Sequence, residues 1–116
     1  MRQVYLSDHF LRQLKPYLKK FRKLENNLIA ALEGFQLETA NRLGQKLYKV
    51  RLKSDDIPKG KNASFRLIVF LLENKSILTP IAIYFKSERS DMSEKEIEHH
   101  LAMVLSEIRQ KESLAE

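Results

Sequence analysis

Between residues 48 and 53 the chain reads Tyr48-Lys49-Val50-Arg51-Leu52-Lys53, with apolar and basic side chains in strict alternation. A period of two belongs to a β-strand, whose successive side chains leave on opposite faces. This segment therefore has one face for a core and one cationic face. Lys49, Arg51 and Lys53 point the same way, about 7 Å apart along the strand. That separation is close to the phosphate repeat of an extended nucleic-acid strand.

The segments downstream extend the sheet. Residues 65–72 are aromatic and aliphatic on both faces, which predicts a central strand whose one charge is Arg66. Glu73-Asn74-Lys75 predicts a hairpin turn, and residues 76–85 the returning strand. Pro80 inside that strand predicts an edge position or a bulge. Residues 54–64, polar and containing Pro58 and Gly60, read as a loop.

Upstream the period is helical. Residues 2–6 predict a short strand, with Ser7 as N-cap of a helix beginning at Asp8. Phe10, Leu14, Tyr17, Leu18 and Phe21 form its apolar stripe, and Pro16 is expected to kink or interrupt it. Leu24, Leu28, Ala31, Leu32 and Phe35 repeat the pattern, with Gly34 near the end as a cap, so the two helices make a hairpin. At the far end Ser93 and Glu96 form a capping box, Met92 and Ile97 occupy staple positions, and Ile97, Leu101, Val104, Leu105 and Ile108 form the stripe of a last helix. Its polar tail, residues 110–116, is expected to fray. The expected fold is α+β and two-layer. A mainly antiparallel sheet of about four strands packs against an N-terminal helical hairpin, followed by a C-terminal helix.

At 116 residues, 43% apolar and 31% charged, the chain has the length and composition of one globular domain, residues 1–116. No apolar run reaches the roughly 18 residues of a spanning helix. The first residues lack a signal-peptide apolar stretch, so a cytoplasmic protein is expected. With no cysteine, disulfides, thiolate chemistry and Cys-ligated zinc are excluded.

Charge carries the functional information. The net charge of +6 is uneven: residues 1–23 carry seven basic and one acidic side chain, and residues 46–66 seven and two. Two basic blocks suit phosphates or an acidic partner. Phosphate-binding glycine loops, the serine-hydrolase elbow and zinc-protease helices are absent. His99 and His100 leave a helix about 100° apart and do not readily converge on one metal. Glu96 and His100 make half a metal site at most, and His9 is expected at the surface. No metal or small-molecule cofactor is expected.

The alternation lets Arg51, Lys53 and Arg66 share a face, with the Lys59-Gly60-Lys61 loop over it, while Tyr84 and Lys86 share a face on the last strand. Such a cationic cleft binds phosphates without reading sequence, and an aromatic ring beside it can stack on a base. It can also cleave RNA. A cation beside the phosphate stabilises the charge that builds when the 2′-OH attacks, and a lysine crowded by cations can transfer protons. The residues alone leave binding and catalysis both open.

Residues 46–93 resemble the RelE/ParE superfamily of toxins from bacterial toxin–antitoxin modules, most closely its RelE and HigB-like branch. The marks are the basic strand ending Lys49-Val50-Arg51-Leu52-Lys53, the Lys59-Gly60-Lys61 loop, and the Phe65-Arg66 pair opening the next strand. The strongest is Tyr84-Phe85-Lys86-Ser87-Glu88-Arg89-Ser90-Asp91-Met92-Ser93 running into a capped helix. The preceding strand and helical hairpin match the family's order of elements. The chain departs from the family in two places. Asn62-Ala63-Ser64 stands where a glycine pair is usual, and no histidine lies on the last strand, where some relatives keep a catalytic one.

The resemblance implies a ribosome-dependent mRNA endonuclease, an mRNA interferase that cuts in the ribosomal A site of the 70S ribosome and is neutralised by a cognate antitoxin. It implies that Lys53, Arg66, Tyr84 and Lys86 line the cleavage site. Arg66 and Lys86 would hold the scissile phosphate, Lys53 would transfer protons or stabilise charge, and Tyr84 would stack on a base. Lys49, Arg51, Lys59, Lys61 and Arg89 would hold RNA. Two alternatives share the scaffold: a ParE-like inhibitor of DNA gyrase, and an RNA-binding module without catalysis. The basic helix over residues 12–23 and the cleft both suit an acidic, partly disordered antitoxin that folds on binding.

Overall fold

Eight elements follow one another in a computed structural model that describes residues 3–54, 56, 64–72 and 76–115. They are β1 (Gln3–Val4), α1 (Asp8–Lys20), α2 (Leu24–Glu33), β2 (Asn41–Gly44), β3 (Leu47–Lys53), β4 (Ser64–Leu72), β5 (Ile77–Phe85) and α3 (Glu94–Ala115). Ser7 starts α1 as expected, its Oγ accepting the Phe10 N–H at 3.0 Å. Pro16 does not interrupt the helix. It sits on the exposed side, where water reaches the carbonyl that loses its partner. Ser93 and Glu96 form the capping box, with the Glu96 N–H donating to Ser93 Oγ and the Ser93 N–H to Glu96 Oε1, both at 3.2 Å. The helix they open stays regular through Ala115, where fraying was expected from residue 110.

The sheet has five strands in the order β1-β5-β4-β3-β2, antiparallel except for the β1–β5 pair. The expected α+β class and antiparallel core hold, with one strand more than expected. The added strand, β2, has no period to betray it: its four residues, Asn41, Arg42, Leu43 and Gly44, are all exposed. It folds back on β3 through Gln45 and Lys46, and Lys46 adopts a left-handed φ of 64° where a sequence reader looks for Gly or Asn. The expected turn at Glu73-Asn74-Lys75 and the Lys59-Gly60-Lys61 loop lie outside the described residues.

Pro80 sits at a bulge, as its missing N–H requires: Val69 pairs with Pro80 and Ile68 with Ala82, so Ile81 is the extra residue. Among the described residues no strand lies beside the outer edge of β5 beyond β1, and α1 supplies a partner there. The Gln13 amide donates to the Ile81 carbonyl at 2.9 Å and accepts the Ile83 N–H at 3.3 Å. One side chain thus satisfies a buried edge that a sixth strand would otherwise cover.

Two cores flank the sheet. The helical hairpin covers one face through Phe10, Leu14, Leu24, Leu28 and Leu32, which meet Leu52, Phe65, Leu67, Val69 and Ile83. The C-terminal helix takes part of the other, where Val104, Ile108 and Met92 meet Ile68, Ile81, Ala82 and Tyr84. No described helix is long and apolar enough to cross a membrane.

Candidate functional site

The face that carries α3 is only half covered. Past Ile68 and Ala82, towards the end of β5, apolar side chains give way to cations. Register fixes how they meet. Arg51 pairs with Arg66 on β4, and Arg66 with Tyr84 on β5. One step on, Lys53 pairs with Ser64, whose carbonyl accepts the Lys86 N–H at 3.0 Å. Tyr84 belongs to the α3-side core, so Arg51 and Arg66 in its row, and Lys53 and Ser64 two residues on, face that side of the sheet. Lys49 lies one step the other way, opposite Ile68. Lys49, Arg51, Lys53, Arg66 and Tyr84 thus lie on one face, in a patch about 10 Å wide across three strands, and Lys86 follows in the turn after β5 with its N–H paired to Ser64. Lys59 and Lys61 lie outside the described residues.

Arg51 directly opposite Arg66 opposes folding, because like charges facing across strands repel. Both are kept within reach of solvent, Arg51 exposed and Arg66 half-buried. Arg66 is aimed by a hydrogen bond from its guanidinium to Ser64 Oγ at 2.7 Å, with a longer one to the Phe65 carbonyl at 3.4 Å. Ahead of the start of β2, a cleft of about 360 Å³ opens beside β3 between Ala31 and Gly34 of the α2 end, Gln36, Thr39 and Asn41, and the side chains of Lys49, Arg51 and Arg66.

Tyr84 differs from the open stacking platform expected of it. It is 2% exposed, and the Arg89 guanidinium lies 5.8 Å from its ring centroid. Its hydroxyl donates to Asp91 Oδ1 at 3.1 Å. Burial pushes its pKa up, opposed by nearby Lys49 and reinforced by the Asp91 contact. Arg89, expected to hold RNA, instead forks onto Glu96 at 2.7 and 2.9 Å, and Glu96, charged at any ordinary pH, has its pKa drawn down to about 2 by that contact and by Ser93. The Lys86 ammonium donates to the Ser90 carbonyl at 2.9 Å.

Three residues that shape the site were missed from sequence. Ser64 falls at the end of the expected loop, and Asp91 has no local signal beyond the run it sits in. Glu96 was seen as a cap but not as the partner of Arg89. Each acts through a contact across a turn or between strands, which no local period reports.

The histidines also meet unexpectedly. His9, read as a surface residue, comes from α1 to place Nε2 2.8 Å from Nδ1 of His100 on α3. The rings of His9 and His99 pack edge to face. Among the described residues no group of three or more His, Cys, Asp or Glu is arranged to hold a metal ion.

No protein-family model matches the sequence, and no curated protein matches it. Among solved structures, the chain is similar to one in the intact E. coli RelBE toxin–antitoxin complex. The TM-score is 0.48 and the identity 16%, covering 72% of this chain and 94% of that one. It is also similar to a doubly substituted mutant of E. coli toxin RelE in the free state. Here the TM-score is 0.46 and the identity 18%, covering 77% of this chain and 87% of that one.

Proposed function

We propose that this chain is a RelE-like toxin of a type II toxin–antitoxin module, acting as a ribosome-dependent endonuclease on mRNA in the A site. The observation that carries the reading is the pair of rows Arg51–Arg66–Tyr84 and Lys53–Ser64–Lys86 on one half-open sheet face. A fold that sets two guanidinium groups against each other gains nothing from them until an anion arrives. A phosphodiester supplies that anion.

In this reading Arg66, held by Ser64, and Lys86 grip the scissile phosphate. The 2′-oxygen attacks phosphorus, forming the O2′–P bond as the P–O5′ bond breaks. The 2′-proton leaves to a base and a proton reaches the departing 5′-oxygen, with Lys53 as the transferring or charge-stabilising group. The products are a 2′,3′-cyclic phosphate and a 5′-hydroxyl. The cations stabilise charge that builds on the non-bridging oxygens, the kind of contribution whose loss commonly costs about 10²–10³ in rate. Lys49 and Arg51 hold the flanking strand. The exposed basic side chains Arg12, Lys15, Lys19 and Lys20 on α1 offer a second positive surface for a cognate acidic antitoxin.

Expression in a bacterial host with mapping of mRNA 5′ ends tests the reading. Growth arrest with cuts phased to codons is the expected result. Arrest with blocked DNA supercoiling and intact mRNA would favour a gyrase inhibitor instead.

A further inference from the structure

At the edge of the cationic face one carboxylate oxygen gathers three donors. Asp91 Oδ1 accepts from Lys49 Nζ at 3.0 Å, from the Tyr84 hydroxyl at 3.1 Å and from the Met92 N–H at 2.9 Å. An ammonium, a phenol and a backbone amide closing on a single anionic oxygen are the donors a phosphate oxygen takes. The Lys49 contact and the Met92 N–H hold the Asp91 carboxyl below its ordinary range, so the anion is present at neutral pH. The pair is open to water on one side, the Lys49 side chain 21% exposed and the Asp91 side chain 65%.

The segment bearing Asp91 also turns other site groups inward. Arg89 donates from Nε to the Asp91 carbonyl at 2.9 Å while lying over the Tyr84 ring, and Lys86 is spent on the Ser90 carbonyl. In the free chain the residues between β5 and α3 therefore occupy the groups that RNA needs.

We propose that Asp91 is an internal stand-in for phosphate: it fills the subsite formed by Lys49, the Tyr84 hydroxyl and the Met92 N–H, and a bound RNA strand displaces it. The proposal rests on the reading of this face as an RNA site. Displacement frees the Lys49 ammonium, while Arg89 stays anchored by its fork onto Glu96. If Asp91 instead positions Lys49 and Tyr84 for RNA, removing its charge weakens binding. The two roles differ in sign.

The test uses the full chain and a short single-stranded RNA with 2′-O-methyl groups, which binds without being cut, followed by fluorescence anisotropy. Asp91→Asn keeps the size and the acceptor for the Met92 N–H but removes the charge. It should bind about two- to fivefold tighter, the range of a partly exposed ion pair. Glu25→Gln, the same charge change on α2 across the sheet, should alter binding by less than about 1.5-fold, being screened at that distance. In a Lys49→Ala background the gain from Asp91→Asn should vanish. Binding by Asp91→Asn no tighter than by Glu25→Gln, or a gain that survives loss of Lys49, overturns the stand-in. Arg66→Ala in the same assay separates the two levels. Unchanged binding there sinks the RNA site itself, whereas weakened binding without a gain in Asp91→Asn sinks only the stand-in. Circular dichroism checks that each variant is folded, and Asp91→Ser repeats the comparison with a side chain too short to reach Lys49.

Discussion

The two faces of β4 come from the same nine residues and serve opposite ends. On one, Phe65, Leu67, Val69 and Leu71 are at most 4% exposed under the helical hairpin. Phe65 stacks on Phe85 at 4.8 Å between centroids and meets Tyr17 and Phe21 edge on at 4.9 and 5.2 Å. On the other face Ile68 lies under α3, while Ser64 and Arg66 stand beyond it among cations. The first face stores the stability. The second can then carry an unfavourable Arg51–Arg66 pairing, because the strands are held from behind. Neighbouring residues of one strand thus divide between a buried core and a cationic surface.

The sharpest way to break that division is to cut into the storing face. Phe65→Ala, which removes the ring directly behind the Arg66 row, should cost about 3–5 kcal/mol in denaturant unfolding. A loss below about 1 kcal/mol would mean the rings do not brace the site.

Gln13 tests the edge of the same layer. Gln13→Leu keeps bulk but orphans the Ile81 carbonyl and the Ile83 N–H, both on buried residues. The expected loss is about 1–3 kcal/mol, the cost of unpaired buried backbone groups. An unchanged midpoint would show that α1 does not stand in for a strand there.

The smallest effect is expected where the two layers meet outside the sheet, at His9 and His100. Both pKa values are lowered: His9 by burial, Arg12 and His99, with Glu107 opposing, and His100 by burial, His9 and His99, with Glu96 opposing. A base whose folded pKa lies below its unfolded value of about 6.5 is protonated more readily in the unfolded chain. Stability should therefore be full above about pH 6.5 and decline as pH falls through the folded values. Thermal melts from pH 8 to pH 5 should show that decline, and His100→Gln should flatten it. An equal decline in the variant would assign the effect elsewhere.

Much of this was legible in the sequence where it depends on neighbours along the chain. The Ser7 cap, the Ser93–Glu96 box, the alternation of residues 48–53 and the edge position or bulge that Pro80 calls for all act within a few residues. Alternation alone put Lys49, Arg51 and Lys53 on one face. The illegible parts are those made by distant partners. β2 is exposed and has no period, Gln13 looks like any surface amide until β5 lies beside it, and Asp91 acquires its role only when Lys49 comes within reach across 42 residues. Tyr84 shows the limit most plainly: its place on the cationic side followed from pairing, but its burial in the core under α3 did not.

The most direct test of the central claim is Arg66→Ala followed both by thermal unfolding and by mRNA end mapping after expression. The account predicts a chain that melts like the parent, or slightly later with the Arg51 repulsion gone, and whose codon-phased cuts fall by about 10²-fold or more. A folded Arg66→Ala chain that cuts mRNA at the parent's rate would contradict it.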